Sequence, residues 1–368
     1  MKICHLISGD LWAGAEVMVF RLLKGLITYD DQEVSAILFN EGRLSEELRN
    51  LGIPHFIADE KKLKSMQVLG EIKNILREIS PDVLHSHRYK ENILAYLSVR
   101  SLDNNISLVS TQHGMPELLN LKQKVLKHRI LLKLDRWGLK RYFDHVVVVS
   151  RDLRDHFVEK WHFPERKVKL IYNGTEIPEN KTAKRDKFVI GSAGRFFPVK
   201  DYPLLVEVAR ELLDRTDRIR FELAGDGPEK GRIEEQVREY GLEDRFVLRG
   251  FIDDMDSFYR GLDLYINTSH HEGNPMSVLE AMAHGLPVIA PGRGGLNEIL
   301  DYEKGFLIQS RNPGDYADKC LKLFENRELL KKMGNASRKK VINDFSLEKM
   351  AGNYCELYRS LNASHLNS

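Results

Sequence analysis

Two glutamates eight positions apart, Glu272 and Glu280, lie in the run His271–Ala290, HEGNPMSVLEAMAHGLPVIA. Paired carboxylates invite an acid/base reading on a glycosidic bond, where the two groups flank one oxygen at about 5–9.5 Å from each other. The local signals point elsewhere. Asn274 is suited to cap a helix with Pro275 in its first turn, and Gly285 ahead of Pro287 to end it. The expected helix spans Pro275–His284, with Glu272 in the loop before it and Glu280 more than a turn inside. Carboxylates so placed suit two contacts strung along an extended ligand, with its phosphates nearer the helix N-terminus. The plainer alternative is a buried face of Leu279, Ala281 and Met282 with both glutamates solvated.

Other segments carry the charge and the turns such a ligand needs. Gly194-Arg195-Phe-Phe-Pro-Val-Lys200-Asp201 follows a strand pattern and offers a guanidinium fork and an ammonium point charge, suited to a diphosphate or merely to water. Gly9 to Gly14 leads from the first strand into a helix, where backbone N–H groups can approach an anion. It matches neither the dinucleotide nor the Walker pattern, and a simple tight turn explains it equally. Gly225-Asp226-Gly227-Pro228 reads as turn chemistry. Asp254-Met255-Asp256 resembles a metal-binding D-x-D, but it reads better as helix-start carboxylates before a Ser257–Leu262 pattern. His85, His87 and His113 fall at strand ends. No carboxylate or cysteine spacing accompanies them, so no metal is expected; His113 suits a polar contact to sugar or phosphate, and His85 a satisfied core position.

The segment Leu121–Tyr142 differs from the rest. Lys122, Lys124, Lys127, Arg129, Lys133, Arg136, Lys140 and Arg141 face one acid, Asp135, with Ile130, Leu134 and Trp137 among the interleaved apolar residues. This pattern describes a helix that lies on an anionic membrane or grips an acidic acceptor, and equally an ordinary helix with a basic outer face.

The elements that position these groups follow from periodicity. Short β-rich runs (KICHLIS, EVSAILF, DVLHSH, SLVSTQH, HVVVVS, then KFVIGSAG, IRFELAG, RFVLRG, DLYINTS, LPVIA) alternate with helical patterns such as Glu16–Thr28, Ser65–Ile79 and Tyr89–Arg100. Near-continuous apolar strands between helices imply parallel sheets covered on both faces. The polar run Thr175–Lys187 reads as a linker. The expected fold class is therefore α/β, with two doubly wound parallel-sheet domains at residues 1–176 and 177–345 facing a central cleft. Residues 346–368 form a C-terminal helix crossing back. The chain has 368 residues with 56 Lys plus Arg against 54 Asp plus Glu, a balance that excludes a globally basic nucleic-acid coat. Three dispersed cysteines suit a reducing cytosol, and no apolar run is long enough to span a bilayer.

Taken in order, these motifs resemble the retaining glycosyltransferases of the GT-B fold, glycosyltransferase family 4 (the group 1 transferases). The resemblance rests on EGNPMSVLEAMAHGLPVIA with Gly294-Gly295 and Glu298 after it. It also rests on Arg195 and Lys200, GDGP, the first glycine loop, STQHG, and YNGTEI at 172–177. It implies that Arg195 and Lys200 hold a donor diphosphate, that Glu280 meets ribose hydroxyls and that Glu272 meets the transferred sugar. It further implies that Asn274, Pro275, Met276 and Ser277 line the donor, that Gly14 lets the first domain approach it and that His113 lies beside the reacting sugar. The implied activity is transfer from a nucleotide sugar, UDP- or GDP-linked, to a glycan or lipid-linked glycan, with anomeric retention and neither metal nor cofactor. The enzyme would work in the cytosol or against the inner membrane face, with Lys122, Lys124, Lys127, Arg129 and Lys133 as membrane or acceptor surface. Two motifs depart from the family pattern: Ala13-Gly14-Ala15-Glu16 replaces Gly-Gly-Ala-Glu, and Asn173-Gly174-Thr175-Glu176 replaces Asn-Gly-Val-Asp. The competing readings are a GT-B relative such as a sugar-nucleotide epimerase, and a non-catalytic nucleotide-sugar-binding subunit.

Overall fold

Strands with no polar face must be buried on both sides, and the two central strands meet that demand: β1 (Lys2–Ile7) is buried at every position but its first, and β8 (Phe188–Ala193) throughout. The computed structural model describes residues 1–10, 12–102, 105–115, 124–179 and 187–366. The chain divides into two compact units, Met1–Asn173 with Leu347–Ser368, and Gly174–Ser346.

The first unit adds β2 (Glu33–Leu38), β3 (His55–Ile57), β4 (Val83–Ser86), β5 (Ser107–Gln112), β6 (His145–Val148) and β7 (Val168–Leu170). The sheet runs β3-β2-β1-β4-β5-β6-β7, every pair parallel. The second unit adds β9 (Ile219–Ala224), β10 (Phe246–Gly250), β11 (Leu264–Ile266), β12 (Val288–Pro291) and β13 (Gly305–Ile308), in the parallel order β10-β9-β8-β11-β12-β13. Ten of these strands are legible from periodicity. The other three, β3, β7 and β13, are edge strands of three or four residues.

Helices cover both sheets. Ser65–Ile79 matches its expected span, and Gly14–Leu26 and Tyr89–Val99 differ only at their ends. The C-terminal helix Leu347–Leu366 belongs to the first unit, packing on Gly14–Leu26. That contact is close because Gly25 has no side chain: a Cβ there would lie 2.6 Å from Ala351 Cβ. Arg359 donates two hydrogen bonds to Asp31, at 2.9 and 2.8 Å, near the same seam.

The expected linker requires correction. Thr175 is buried and bridged to Ser346, its N–H donating to the Phe345 carbonyl at 2.9 Å. The Pro178 and Glu179 carbonyls accept from Arg338 and Arg260 at 2.5 and 3.0 Å. Polar composition therefore marks a segment whose backbone is hydrogen-bonded to the second unit. The remainder of the run, 180–186, lies outside the described residues.

Candidate functional site

The second sheet reverses its strand order between β8 and β11, and open parallel sheets take ligands beyond such a switch point. The loop leaving β8 carries Arg195 and Lys200, and the loop leaving β11 carries Glu272, so topology brings the two segments together. Backbone bonds then fix them: His270 N–H donates to the Val199 carbonyl at 2.7 Å, and the Thr268 hydroxyl to the Lys200 carbonyl at 3.0 Å. The Glu272 carbonyl accepts from Gly295 N–H at 2.9 Å, which explains why Gly294-Gly295 follows the glutamate run.

The side chains converge as well. Lys200 Nζ donates to Glu272 Oε1 at 2.5 Å, and Ser269 and Asn267 donate to the same oxygen at 2.7 and 3.4 Å. Burial pushes the Glu272 carboxyl up, but the Lys200 ammonium and these donors outweigh it and hold the group below the usual carboxylate range. Glu272 is thus an anion and an acceptor, with no proton to give a leaving group. Arg195 stands exposed on the same loop, its guanidinium 4.6 Å from the Phe197 ring centre.

The Gly225–Pro228 turn does more than reverse the chain. Gly227 has φ +155°, and a Cβ there would meet the Phe196 backbone at 2.7–2.9 Å. Phe196 N–H donates to the Asp226 carbonyl at 2.8 Å, and Glu229 N–H to the Phe196 carbonyl at 3.0 Å. The turn therefore clamps the loop that presents Arg195.

Glu280 has a different partner: the Tyr259 hydroxyl donates to its Oε2 at 2.7 Å. It lies on the helix Met276–Ala283, one residue shorter at each end than expected. Asn274 does not cap this helix. Pro275 has an extended ψ of 119° and itself occupies the cap position, so the helix begins one residue later and no side chain caps it. The main-chain N–H groups of Val278 and Leu279 donate to the Pro275 carbonyl, leaving those of Met276 and Ser277 as the leading donors. Asp254 is the helix-start carboxylate expected, accepting from Ser257 N–H at 3.0 Å, while Asp256 pairs with Arg260 at 2.5 Å.

The switch point of the first sheet, between β1 and β4, is built from histidines. His5 pairs in register with His85, and His87 and His113 follow the ends of β4 and β5. His85 is the satisfied core residue expected: Nδ1 lies 2.6 Å from the Tyr358 hydroxyl and Nε2 2.8 Å from Thr111 Oγ1. His5 Nδ1 lies 2.9 Å from His87 Nε2, and His87 Nδ1 lies 3.3 Å from His113 Nε2. The nitrogens of His5, His85 and His87 fall within 4.8 Å of one another, a spacing a metal could use, and hydrogen bonds already engage them. Burial pushes His5 and His113 down to about 3, and His85 and His87 well below 6.5, so all four are neutral.

Sequence reasoning missed His5, Glu16 and Arg88 here; the one signal was a lone histidine inside an apolar strand. Buried Glu16 accepts from Arg88 at 2.5 Å, and Glu91 accepts from the Ser8 hydroxyl at 2.6 Å. Gly14 opens its helix, and among the described residues no atom lies within 4 Å of the point a Cβ would occupy, so the space above its backbone is open.

The basic segment forms the helix Lys124–Tyr142. Lys122 lies outside the described residues, as do the side chains of Lys124 and Lys127. Arg129, Lys133 and Arg141 are exposed, and Ile130, Leu134 and Trp137 are 50%, 43% and 51% exposed beside them. Asp135 turns inward, accepting from Asn92 at 2.8 Å, so it leaves the basic face without its acid; burial pushes its carboxyl up to about 7. Among the described residues no helix is long and apolar enough to cross a membrane.

Comparison with known proteins identifies the family and the fold. The family model described as Glycosyltransferase Family 4 matches residues 12–177, and that described as Glycosyl transferases group 1 matches residues 173–340. A poly(ribitol-phosphate) alpha-N-acetylglucosaminyltransferase of Staphylococcus aureus is 30% identical over 174 residues, 47% of this chain and 35% of that protein, so the chain spans about a third of that relative's length. A UDP-Gal:alpha-D-GlcNAc-diphosphoundecaprenol alpha-1,3-galactosyltransferase of Escherichia coli is 22% identical over 97% of this chain and 96% of its own. Among solved structures, Anabaena HepE in complex with UDP-glucose superposes with a TM-score of 0.85 at 21% identity, covering 98% of this chain and all of that one. Both units carry the parallel α/β architecture of such GT-B neighbours, and the chain belongs to glycosyltransferase family 4, the group 1 glycosyl transferases.

Proposed function

We propose that this glycosyltransferase moves a sugar from a nucleotide-sugar donor, with UDP- and GDP-sugars the leading choices, to a glycan or lipid-linked glycan acceptor, with anomeric retention. The observation that carries the reading is the Lys200–Glu272 pair beside exposed Arg195 at the second sheet's switch point. A departing nucleoside diphosphate builds negative charge, and preorganised cations stabilise it where it forms. In this reading Arg195 and Lys200 bind the diphosphate, aided by the Met276 and Ser277 N–H groups at the uncapped helix start. Asn274 and Pro275 line the sugar end. Glu272, fixed as an anion, accepts from a hydroxyl of the transferred sugar, and Glu280, held by Tyr259, accepts from the ribose. By the family resemblance, Gly14 and His113 are proposed as further donor contacts.

The anomeric carbon–oxygen bond to the diphosphate breaks as the acceptor oxygen bonds to the same face. The acceptor proton passes to the departing phosphate, so no protein nucleophile or acid is required. Positive charge comes from the two side chains, and the reaction proceeds without metal. The two related names that specify alpha-linked transfer, one from a UDP-sugar, support this class of substrate. The exposed cations and apolar residues of Lys124–Tyr142 support a resting place on an anionic inner membrane face, where a lipid-linked acceptor is found.

The test is thermal stabilisation by UDP-, GDP- and ADP-sugars, where a donor at about 100 times its dissociation constant adds about 2.7 kcal/mol. Transfer to candidate acceptors, with and without chelator, and NMR of the product anomer follow. Stabilisation without transfer would leave a donor-binding protein, and an inverted product would rule out retention.

A further inference from the structure

Seven buried or half-buried groups in the first unit form a single file. Tyr354 Oη lies 2.8 Å from Thr111 Oγ1, and Thr111 lies 2.8 Å from His85 Nε2. His85 Nδ1 meets Tyr358 Oη at 2.6 Å, and Tyr358 Oη meets His5 Nε2 at 3.4 Å. His5 Nδ1 meets His87 Nε2 at 2.9 Å, and His87 Nδ1 meets His113 Nε2 at 3.3 Å.

The direction of the file is decided at its closed end. Tyr354 is fully buried, and Thr111 is its hydrogen-bond partner among the described residues, so its one phenol proton must go there. Thr111 then accepts from Tyr354 and has its own proton left for His85 Nε2. A neutral imidazole carries one N–H and one lone pair, so His85, accepting at Nε2, donates from Nδ1 to Tyr358. The same step repeats: Tyr358 donates to His5 Nε2, His5 Nδ1–H to His87 Nε2, and His87 Nδ1–H to His113 Nε2. The reverse polarity would leave a phenol proton buried without an acceptor, which costs about 1–3 kcal/mol.

We propose that this one-way file, begun by Tyr354 on the C-terminal helix, holds His113 as its Nδ1–H tautomer. His113 then presents a hydrogen-bond donor to its surroundings, with His87 as the positioning residue directly behind it. The assignment makes four histidines, His5, His85, His87 and His113, share the Nδ1–H form. Its value to transfer rests on the reading above that places His113 beside the sugar.

The test is ¹⁵N NMR of histidine-labelled wild-type protein, with His113 assigned by its loss in His113→Gln. A protonated Nδ1 and bare Nε2 at His113 support the proposal, and Nε2–H there overturns it without any positioning variant having to fold. His87→Leu removes the last donor and is expected to bring Nε2–H into view at His113. His87→Asn, whose amide N–H replaces the imidazole donor, is expected to restore Nδ1–H. An unchanged His113 tautomer in His87→Leu overturns the coupling. In the same variant kcat falls about tenfold with donor KM held within about twofold, the usual scale for an orienting partner. A tautomer that shifts while turnover does not supports the file and removes His113 from the sugar site.

Discussion

The two switch points occupy equivalent positions in their sheets and are built from opposite chemistry. Beyond β8 and β11 the groups are ionic: an ammonium on a carboxylate, an exposed guanidinium, and a second carboxylate held by a phenol. Beyond β1 and β4 the cluster is a run of neutral imidazoles and hydroxyls, with the Glu16–Arg88 ion pair at its side. A fold offers a crevice at the reversal of strand order, and the residues placed there decide what enters. The charged crevice suits a diphosphate. The neutral one suits uncharged hydroxyl groups.

Breaking the ionic side should have the largest effect. Lys200→Ala removes a cation from the proposed diphosphate and leaves Glu272 an unpaired anion. Transfer should fall about 10²–10³-fold, with circular dichroism unchanged; near-normal turnover would dissolve the site. Glu280→Gln tests the second carboxylate. It keeps the shape and loses the charge, and a charge-assisted hydrogen bond is worth about 1.5–3 kcal/mol, so donor KM should rise roughly ten- to hundredfold. An unaltered donor KM would detach Glu280 from the ribose.

Acid separates the two switch points directly. His5 and His113 titrate at about 3 in the folded protein against an ordinary 6.5, with burial the leading cause. Between those values the unfolded chain binds the protons and the folded one does not, so the stability they contribute is complete above pH 6.5 and is lost as pH falls. Each such group removes about 1.4 kcal/mol per pH unit in that window. Glu272, held below its ordinary 4.5, contributes above that value and is lost only under more acidic conditions. Asp135, raised to about 7, gains its proton in the folded state over the same window and offsets about one of the four histidines. Calorimetry from pH 7 to 5 should therefore still lower the melting of Met1–Asn173 with Leu347–Ser368 while the other unit holds. Parallel loss in both would erase the contrast.

The smallest expected effect lies outside both crevices. Reversing Arg129 and Lys133 to Glu should abolish sedimentation with anionic liposomes, at about 1 kcal/mol per cation removed from the surface. Wild-type protein that ignores such liposomes would remove the membrane from the scheme.

How much of this is legible in the sequence follows physical range. The Glu272 loop, the short helix after it and ten of the strands, the edge strand β10 among them, announce themselves through turns and apolar runs, all local signals. Three of the four edge strands, β3, β7 and β13, do not carry such a signal. Asn274 reads as a cap because Pro275 is tolerated both at a cap and inside the first turn, and only its ψ distinguishes the two. His5 cannot be joined to His85 without strand order, since β1 and β4 are separated by two other strands in sequence. The Lys200–Glu272 bond spans 72 residues and is a product of topology alone.

The first unit is discontinuous along the chain, and its last piece is the helix from Leu347 that covers Gly25 and carries Tyr354 and Tyr358. Domains generally fold in the order in which they are synthesised. Here the amino-terminal sheet emerges first and must wait, its histidines without their tyrosines, until the ribosome has delivered the whole of the second unit. The segment made first is the one completed last.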